Sequence, residues 1–527
     1  MKKSLIFVFI FLILSVLIKT DYRLEEGIYC CKDDHDYYAH AETIAIDFDF
    51  DYSNQFEGKE KERFFYNGKS APSAFFGAGL LSAPFLFIGN IIDNLYPNND
   101  LYNFKLLFYS FSSVFYLAFT LVLINKIGKY FEYKFSKTFL YLIVLGSGVG
   151  FYAFERYSMS HVFEIFTITL LIYYCMKYYS DDANNKIAFL IPLLTLLSIM
   201  TRWVNIYIFL IPLIVSKISK YSKNKLIDNK FFWLSYLISI FLFLYHTYLI
   251  FGVVTINAEF TYSTSGTFNK YLSSDPNILI FVFNNLKNLL LLLVGPEFGL
   301  FWFSPIVFFS FYLSLKNILL NKNEDKTTAL IILISMLQVF GLVLIWKSTG
   351  SSYGFRYIMN LAPLSLLVVL SQKLNNFEQN YIKLMSIFSA LSVLYFETTL
   401  KTQLSLEYTE NMFGKITKFT QPDYLFGYIS SFVIFESYLK IFAQSFLGFF
   451  IFYLFIKILG IDNFYSLLDR FSLPYENSDF QNLIYKAQNI ESVKILTTVI
   501  LISVCTYLIY NFDSIKYVHR DLKENDI

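Results

Sequence analysis

Two adjacent carboxylates head the run Asp33-Asp34-His35-Asp36-Tyr37-Tyr38-Ala39-His40-Ala41-Glu42. A carboxylate at the mouth of a lipid-facing pocket can take a proton from a hydroxyl as that hydroxyl attacks carbon. The same residues also read as part of a solvated acidic loop, because residues 20–69 hold 13 Asp or Glu against six Lys or Arg. A calcium-binding loop would need a Gly at its sixth position and a Glu at its twelfth, and the loop supplies neither in register with Asp33. The basic candidates are Lys69, Arg202, Lys347 and Arg356, each close to the edge of an apolar segment. Cations embedded in apolar segments are costly and are functional candidates by default; the alternative is snorkelling toward lipid headgroups. Arg202 breaks the otherwise apolar run 187–216, and Arg356 follows the Gly/Ser-rich turn Ser348-Thr349-Gly350-Ser351-Ser352. His161 and Glu155 flank the turn 156–160, and Glu297 follows Pro296 where a helix should break. Each reads either as an interfacial residue or as a substrate contact.

The elements that must position these groups are membrane helices. The chain has 527 residues, 55% hydrophobic, 20% aromatic and only 16% charged, with mean hydropathy +0.48. Candidate spans fall near 4–19, 101–124, 138–155, 161–179, 187–200, 203–216, 231–251, 296–316, 327–345, 354–372, 382–400, 438–459 and 495–511. The expectation is an all-α polytopic bundle of 11–13 transmembrane helices. Net charge is +2, so no basic field draws nucleic acid, and there is no phosphate-binding loop of the Walker type. The four cysteines make no framework and no metal-ligand spacing, and a disulfide between neighbouring Cys30 and Cys31 would be strained.

Basic residues in short loops set the orientation. Lys2 and Lys3 put the amino terminus inside, and the segments holding Lys126, Lys129, Lys134 and Lys137, and later Lys217, Lys220, Lys223, Lys225 and Lys230, should lie inside too. Two ambiguities then resolve. The apolar stretch 74–95 is expected to be a re-entrant or interfacial helix on the outer face. The run 187–216 is expected to be a hairpin of two short spans with Arg202 at the outer turn. Outer segments are then 20–100, 252–295 and 401–437.

Several ordered motifs carry a resemblance. Asp33-Asp34 followed by Tyr37-Tyr38-Ala39 resembles the acidic pair of the polytopic GT-C glycosyltransferases, such as the protein O-mannosyltransferases and the aminoarabinose transferases of lipid A. Asn67-Gly68-Lys69-Ser70-Ala71-Pro72, leading into Leu81-Ser82-Ala83-Pro84-Phe85, is similar to the segment where that family's first outer loop returns to the membrane, with Ser-Ala-Pro in place of the usual His-Pro-Pro. Ser158-Met159-Ser160-His161, Thr201-Arg202-Trp203, Gly299-Leu300-Phe301 with Pro305, and Gly354-Phe355-Arg356-Tyr357 with Pro363-Leu364 resemble further family positions.

The resemblance implies a GT-C-like module over 1–460, with a first outer loop 20–100 carrying interfacial helices; 461–527 would add a cytoplasmic loop, a last span and a short tail. It implies an inverting transfer of a sugar from a polyprenyl-phosphate donor to a glycan, lipid or protein acceptor at the non-cytoplasmic face. Asp33 would be the general base, while Asp34 stands where the family usually has Glu. The charge growing on the leaving phosphate must be met by fixed cations; Lys69, Arg202, Lys347 and Arg356 are the candidates, the arginines favoured by their bidentate fork. His161, Glu297 and Tyr37 are candidate substrate contacts. Family members differ on metal use, and no ligand cluster here decides whether a divalent ion takes part. The rival expectations are a lipid-linked-sugar flippase or transporter, and a polysaccharide polymerase or ligase. A transporter would show internal repeats, and none is found.

Overall fold

A computed structural model describes residues 32–57, 64–130, 133–256, 286–320, 326–346 and 356–399 with short breaks, and short strands at 409–410, 416–417 and 517–519. The expected spans 4–19, 438–459 and 495–511, together with Glu155, Glu297 and Lys347, lie outside the described residues. The chain is an all-α integral membrane protein. Among the described residues, four helices are long and apolar enough to cross a bilayer: Gly77–Leu95 (α2), Phe104–Ile127 (α3) extended to Tyr130, Lys230–Phe251 (α9), and most of Lys326–Trp346 (α12). The other helices are Lys32–Glu42 (α1), Lys137–Val144 (α4), Gly150–Phe154 (α5), His161–Ser180 (α6), Asn185–Thr201 (α7), Ile211–Ile218 (α8), Leu300–Phe303 (α10), Pro305–Leu319 (α11), Ala362–Leu370 (α13) and Asn376–Thr399 (α14). Three small two-stranded ribbons are the β-structure among the described residues.

Contacts between the helices fix their directions. The Tyr116 ring of α3 meets Phe163 and Phe166 near the start of α6, and Lys126 lies over Tyr173 further along, so α3 and α6 run parallel. Thr201 at the end of α7 approaches Thr167 early in α6, at 3.5 Å, so α7 returns. Tyr179 near the end of α6 hydrogen-bonds with Ser216 of α8, so α8 runs back down again. The expected hairpin over 187–216 therefore forms. Its turn is Arg202, in extended conformation (φ −163°, ψ 99°), which stops α7. The ends of α3 and α8 that carry Lys126 and Lys217 lie at one end of the bundle, and the α6–α7 end carrying His161 and Arg202 lies at the other.

The stretch 74–95, expected as a re-entrant or interfacial helix, instead forms α2 from Gly77, which is long and apolar enough to cross a bilayer and is the antiparallel partner of α3. The Tyr116 hydroxyl donates to the Leu81 carbonyl, and Asp93 accepts from the first backbone N–H groups of α3, at Phe104 and Lys105. Its amino-terminal turn touches the end of α7. That closeness depends on missing side chains, because a Cβ at Gly77 would stand 2.5 Å from the Met200 backbone and one at Gly79 would stand 2.4 Å from the His40 Cβ. Small residues let helix backbones approach where lipid supplies no hydrophobic drive.

The same end of the bundle holds broken backbone. A helix over 288–294 stops at Gly295, α10 is a single turn, and Ser304 (φ −148°, ψ 59°) precedes Pro305. A bulge at Leu145–Val149 contains Gly148 at φ +86°, a left-handed position that glycine accepts without cost. Carbonyls freed by these breaks need internal partners. The Ser389 hydroxyl of α14 donates to Gly146 O at 2.5 Å and reaches Phe303 O at 3.3 Å.

Gly79→Ala forces α1 away from α2, and overpacking of this kind costs roughly 1–3 kcal/mol. The purified variant is expected to melt at lower temperature than wild type; an unchanged midpoint contradicts the contact.

Candidate functional site

The acidic run that also read as a solvated loop divides in two. From Asp34 to Ala41 every residue is buried, whereas Asp49, Asp51 and Glu57 stay exposed in the turns that follow. The helix α1 is polar by composition, so its burial needs a partner for each charge. Tyr38 and Ala41 seat it on the α2–α3 hairpin, with Leu86, Leu106 and Tyr109 beneath them. Asp36 accepts from the Ser73 N–H at 3.1 Å. His40 is held at both ring nitrogens: Nε2 lies 2.8 Å from the Ala74 carbonyl and Nδ1 lies 2.7 Å from the Tyr52 hydroxyl. A carbonyl only accepts, so Nε2 carries the proton and Nδ1 accepts from Tyr52.

Successive helical residues point about 100° apart, so Asp33 and Asp34 meet different partners. Asp34 is sealed in: Arg156 Nη2 donates to its Oδ2 at 2.6 Å and the Ser158 hydroxyl donates to Oδ1. Asp33 faces the other way and keeps 40% of its side chain exposed while accepting from Arg356 Nη2 at 2.9 Å. Tyr37, one turn along α1 from Asp33, hydrogen-bonds with Ser160. Burial raises the Tyr37 phenol to about 12 against the opposing field of Arg202, so it stays protonated.

The remaining groups come from three turns. Arg202 reaches His161 Nδ1 at 3.1 Å and Glu164 Oε2 at 3.6 Å, and its guanidinium lies 4.4 Å from the centre of the Tyr357 ring. Arg356 opens a 3₁₀ turn, Arg356–Leu361, and lies 4.9 Å from the same ring. Asn360, in that turn, donates to Glu164 Oε1 at 3.2 Å and is itself held by Tyr207 through its carbonyl at 2.8 Å. Three arginines thus oppose three carboxylates at one end of the helices. Such a set is buried because it is internally neutral; a lone buried ion would cost several kcal/mol.

Of the residues expected from sequence, Asp33, Asp34, Tyr37, His161, Arg202 and Arg356 converge here. Lys69 sits elsewhere, on the strand Lys69–Ala71 (β2), and donates to the Leu249 carbonyl at the end of α9. There it meets the negative end of the α9 dipole, and burial lowers its pKa. Lys347 and Glu297 lie outside the described residues. The sequence reading missed Arg156 and Glu164. Glu164 carried a usable signal, a lone carboxylate inside the apolar segment 161–179. An apolar cavity of about 310 Å³ opens between α2, α7 and α9, lined among others by Phe76, Leu197, Met200, Tyr245, His246 and Leu249. Among the described residues no group of three or more His, Cys, Asp or Glu side chains could hold a metal ion.

The fold and site define an integral membrane protein with an acid–arginine centre at one end of its helices. No family model matches the chain and no curated protein matches it. A solved structure similar to it is the archaeal oligosaccharyltransferase AglB from Archaeoglobus fulgidus, in complex with an inhibitory peptide and a dolichol-phosphate, at 13% sequence identity and TM-score 0.39. The match covers 75% of this chain and 57% of that one, so the chain spans less than two thirds of that protein's length.

Arg156→Ala strands a buried Asp34 charge, a loss of about 3–5 kcal/mol. Thermal unfolding of the purified variant should show a large drop in midpoint; a drop no larger than a surface substitution gives would refute the sealed pair. A second expectation concerns His40, which burial lowers from 6.5 to about 4. The imidazole is neutral when folded and protonates more readily when unfolded, so its contribution is complete above pH 6.5 and is lost as pH falls toward 4. That span is worth about 3 kcal/mol at 1.36 kcal/mol per unit. His40→Gln should lose less stability than wild type between pH 6.5 and 4, and equal losses would refute the buried neutral imidazole.

Proposed function

We propose that this chain is a membrane glycosyltransferase that moves a sugar from a polyprenyl-phosphate donor to an acceptor at the non-cytoplasmic face, with inversion at the anomeric carbon. Asp33 is the general base, and Arg356 and Arg202 receive the donor phosphate. The observation that carries the reading is the meeting of half-exposed Asp33 with Arg356, while Tyr357 places Arg202 beside them. A base with solvent access and a pair of forked cations are the two parts that displacement of a phosphate by a hydroxyl requires. The lysine-bearing ends of α3 and α8 lie opposite the cluster, which by the bias of basic residues to the cytoplasm supports an outward-facing site. The apolar cavity lined by Met200, two residues before Arg202 in the chain, supports room for an isoprenoid chain.

In this scheme Asp34 carries no proton. Its two partners hold the first turn of α1 so that Asp33 projects toward the acceptor hydroxyl. His161 and Glu164 position Arg202, and Tyr37 closes the floor between Asp33 and Arg202 as a neutral hydrogen-bonding group. Sugar and acceptor identity are set by groups beyond this core.

Asp33→Asn should lower turnover by about 10²–10⁴-fold, the usual worth of a general base, without weakening donor binding. Arg202→Ala and Arg356→Ala should each raise the donor KM by about 10- to 100-fold, since a charge-assisted hydrogen bond is worth about 1.5–3 kcal/mol. Transfer from a radiolabelled polyprenyl-phosphate sugar measures both. Full turnover by Asp33→Asn would exclude Asp33 as the base, and a flippase would tolerate the change.

A further inference from the structure

We infer that Arg356 is an exchangeable anion site, at which the phosphate of a lipid-borne phosphate ester displaces the carboxylate of Asp33, so that arrival of the phosphate is what frees the base. The inference rests on the transferase reading for its purpose but on the ion-pair geometry for its content.

The three acid–arginine pairs are not equivalent. Asp34 is fully buried and is held at both oxygens by Arg156 and Ser158. Glu164 is fully buried between Arg202, His161 and Asn360. Removing either acid from its arginine would leave a charge in an apolar surrounding with no water to receive it, which costs several kcal/mol. Asp33 differs, because 40% of its side chain already meets solvent and water can take over when Arg356 leaves.

Arg356 for its part has donors to spare. A guanidinium carries five N–H donors. Here Nη2 serves Asp33 and the Tyr357 hydroxyl, Nη1 meets the Met159 thioether, a weak acceptor, at 3.7 Å, and Nε has no hydrogen-bond partner among the described residues. The side chain is 9% exposed, so an unfilled N–H there is a real cost. A tetrahedral phosphate offers several acceptor oxygens to such a fork where one carboxylate fills a single donor. Arg202, on the same Tyr357 ring, adds a second positive charge.

The exchange has a chemical consequence. While bound to Arg356, the Asp33 carboxylate has Oδ2 engaged by the guanidinium. Once phosphate occupies Arg356, Asp33 is an unpaired carboxylate beside a bound donor. No bond forms or breaks in this step; one anion replaces another on a guanidinium.

The test is equilibrium binding of farnesyl phosphate and of inorganic phosphate to the full chain in nanodiscs. Asp33→Asn removes the internal competitor and should bind farnesyl phosphate about tenfold more tightly than wild type, while Asp33→Glu, which keeps the charge, should bind as wild type does. In an Arg356→Gln background the gain from Asp33→Asn should vanish. Equal or weaker binding by Asp33→Asn, with its melting temperature preserved, would overturn the exchange. A gain for farnesyl phosphate but not for inorganic phosphate assigns the lipid-borne ester; equal gains for both assign the phosphate group alone, and either supports the displacement. The two readings fail separately: lost turnover without tighter binding removes the exchange and leaves the transferase, whereas tighter binding with no transfer from any donor removes the transferase and leaves the exchange.

Discussion

Charge neutrality in an apolar surrounding governs this end of the molecule. Arg156, Arg202 and Arg356 are balanced by Asp34, Glu164 and Asp33, and each guanidinium is within 4 Å of a carboxylate. The balance lets polar α1 be buried, because a helix with four acidic groups could not otherwise pack against membrane helices. It also ties together elements far apart in the chain, since Arg356 and Asp33 are separated by 323 positions.

The helices deliver these groups by a few local devices. Arg202 lies where α7 stops, His161 where α6 starts, and Arg356 where a 3₁₀ turn leads into Ala362–Pro363, so each side chain projects from a helix end instead of a lipid-facing flank. Gly77 and Gly79 bring α2 against α7 and α1. By contrast α9 presents Leu237 and Phe241 on an exposed apolar flank, as expected of a helix against lipid. The arrangement leaves Asp33 as the one carboxylate of the three that solvent reaches.

How much was legible in the sequence follows from the range of each interaction. The membrane class, the lysine-rich loops and the break at Thr201-Arg202 are local patterns of hydropathy and charge, and a span or a turn forms for local reasons. The burial of Asp34–Ala41 was not legible, because a polar helix with a high acidic content has the composition of a solvated loop. Lys69 and Arg356 looked alike as interfacial cations, yet one caps a helix end and the other pairs with Asp33. Arg156 stood in a short turn with nothing to distinguish it.

The sequence by itself determined that the chain lives in a bilayer, and it marked Asp33, Arg202 and Arg356 as charged groups at the edges of apolar segments. These follow from the cost of placing charge and unpaired backbone in hydrocarbon, and that cost is read residue by residue. Only the tertiary structure decided which acid meets which arginine, because ion pairing across more than a hundred residues depends on how helices are packed. The same packing separated two neighbouring aspartates into a sealed anchor and an open one, a distinction that no order of residues along a chain contains.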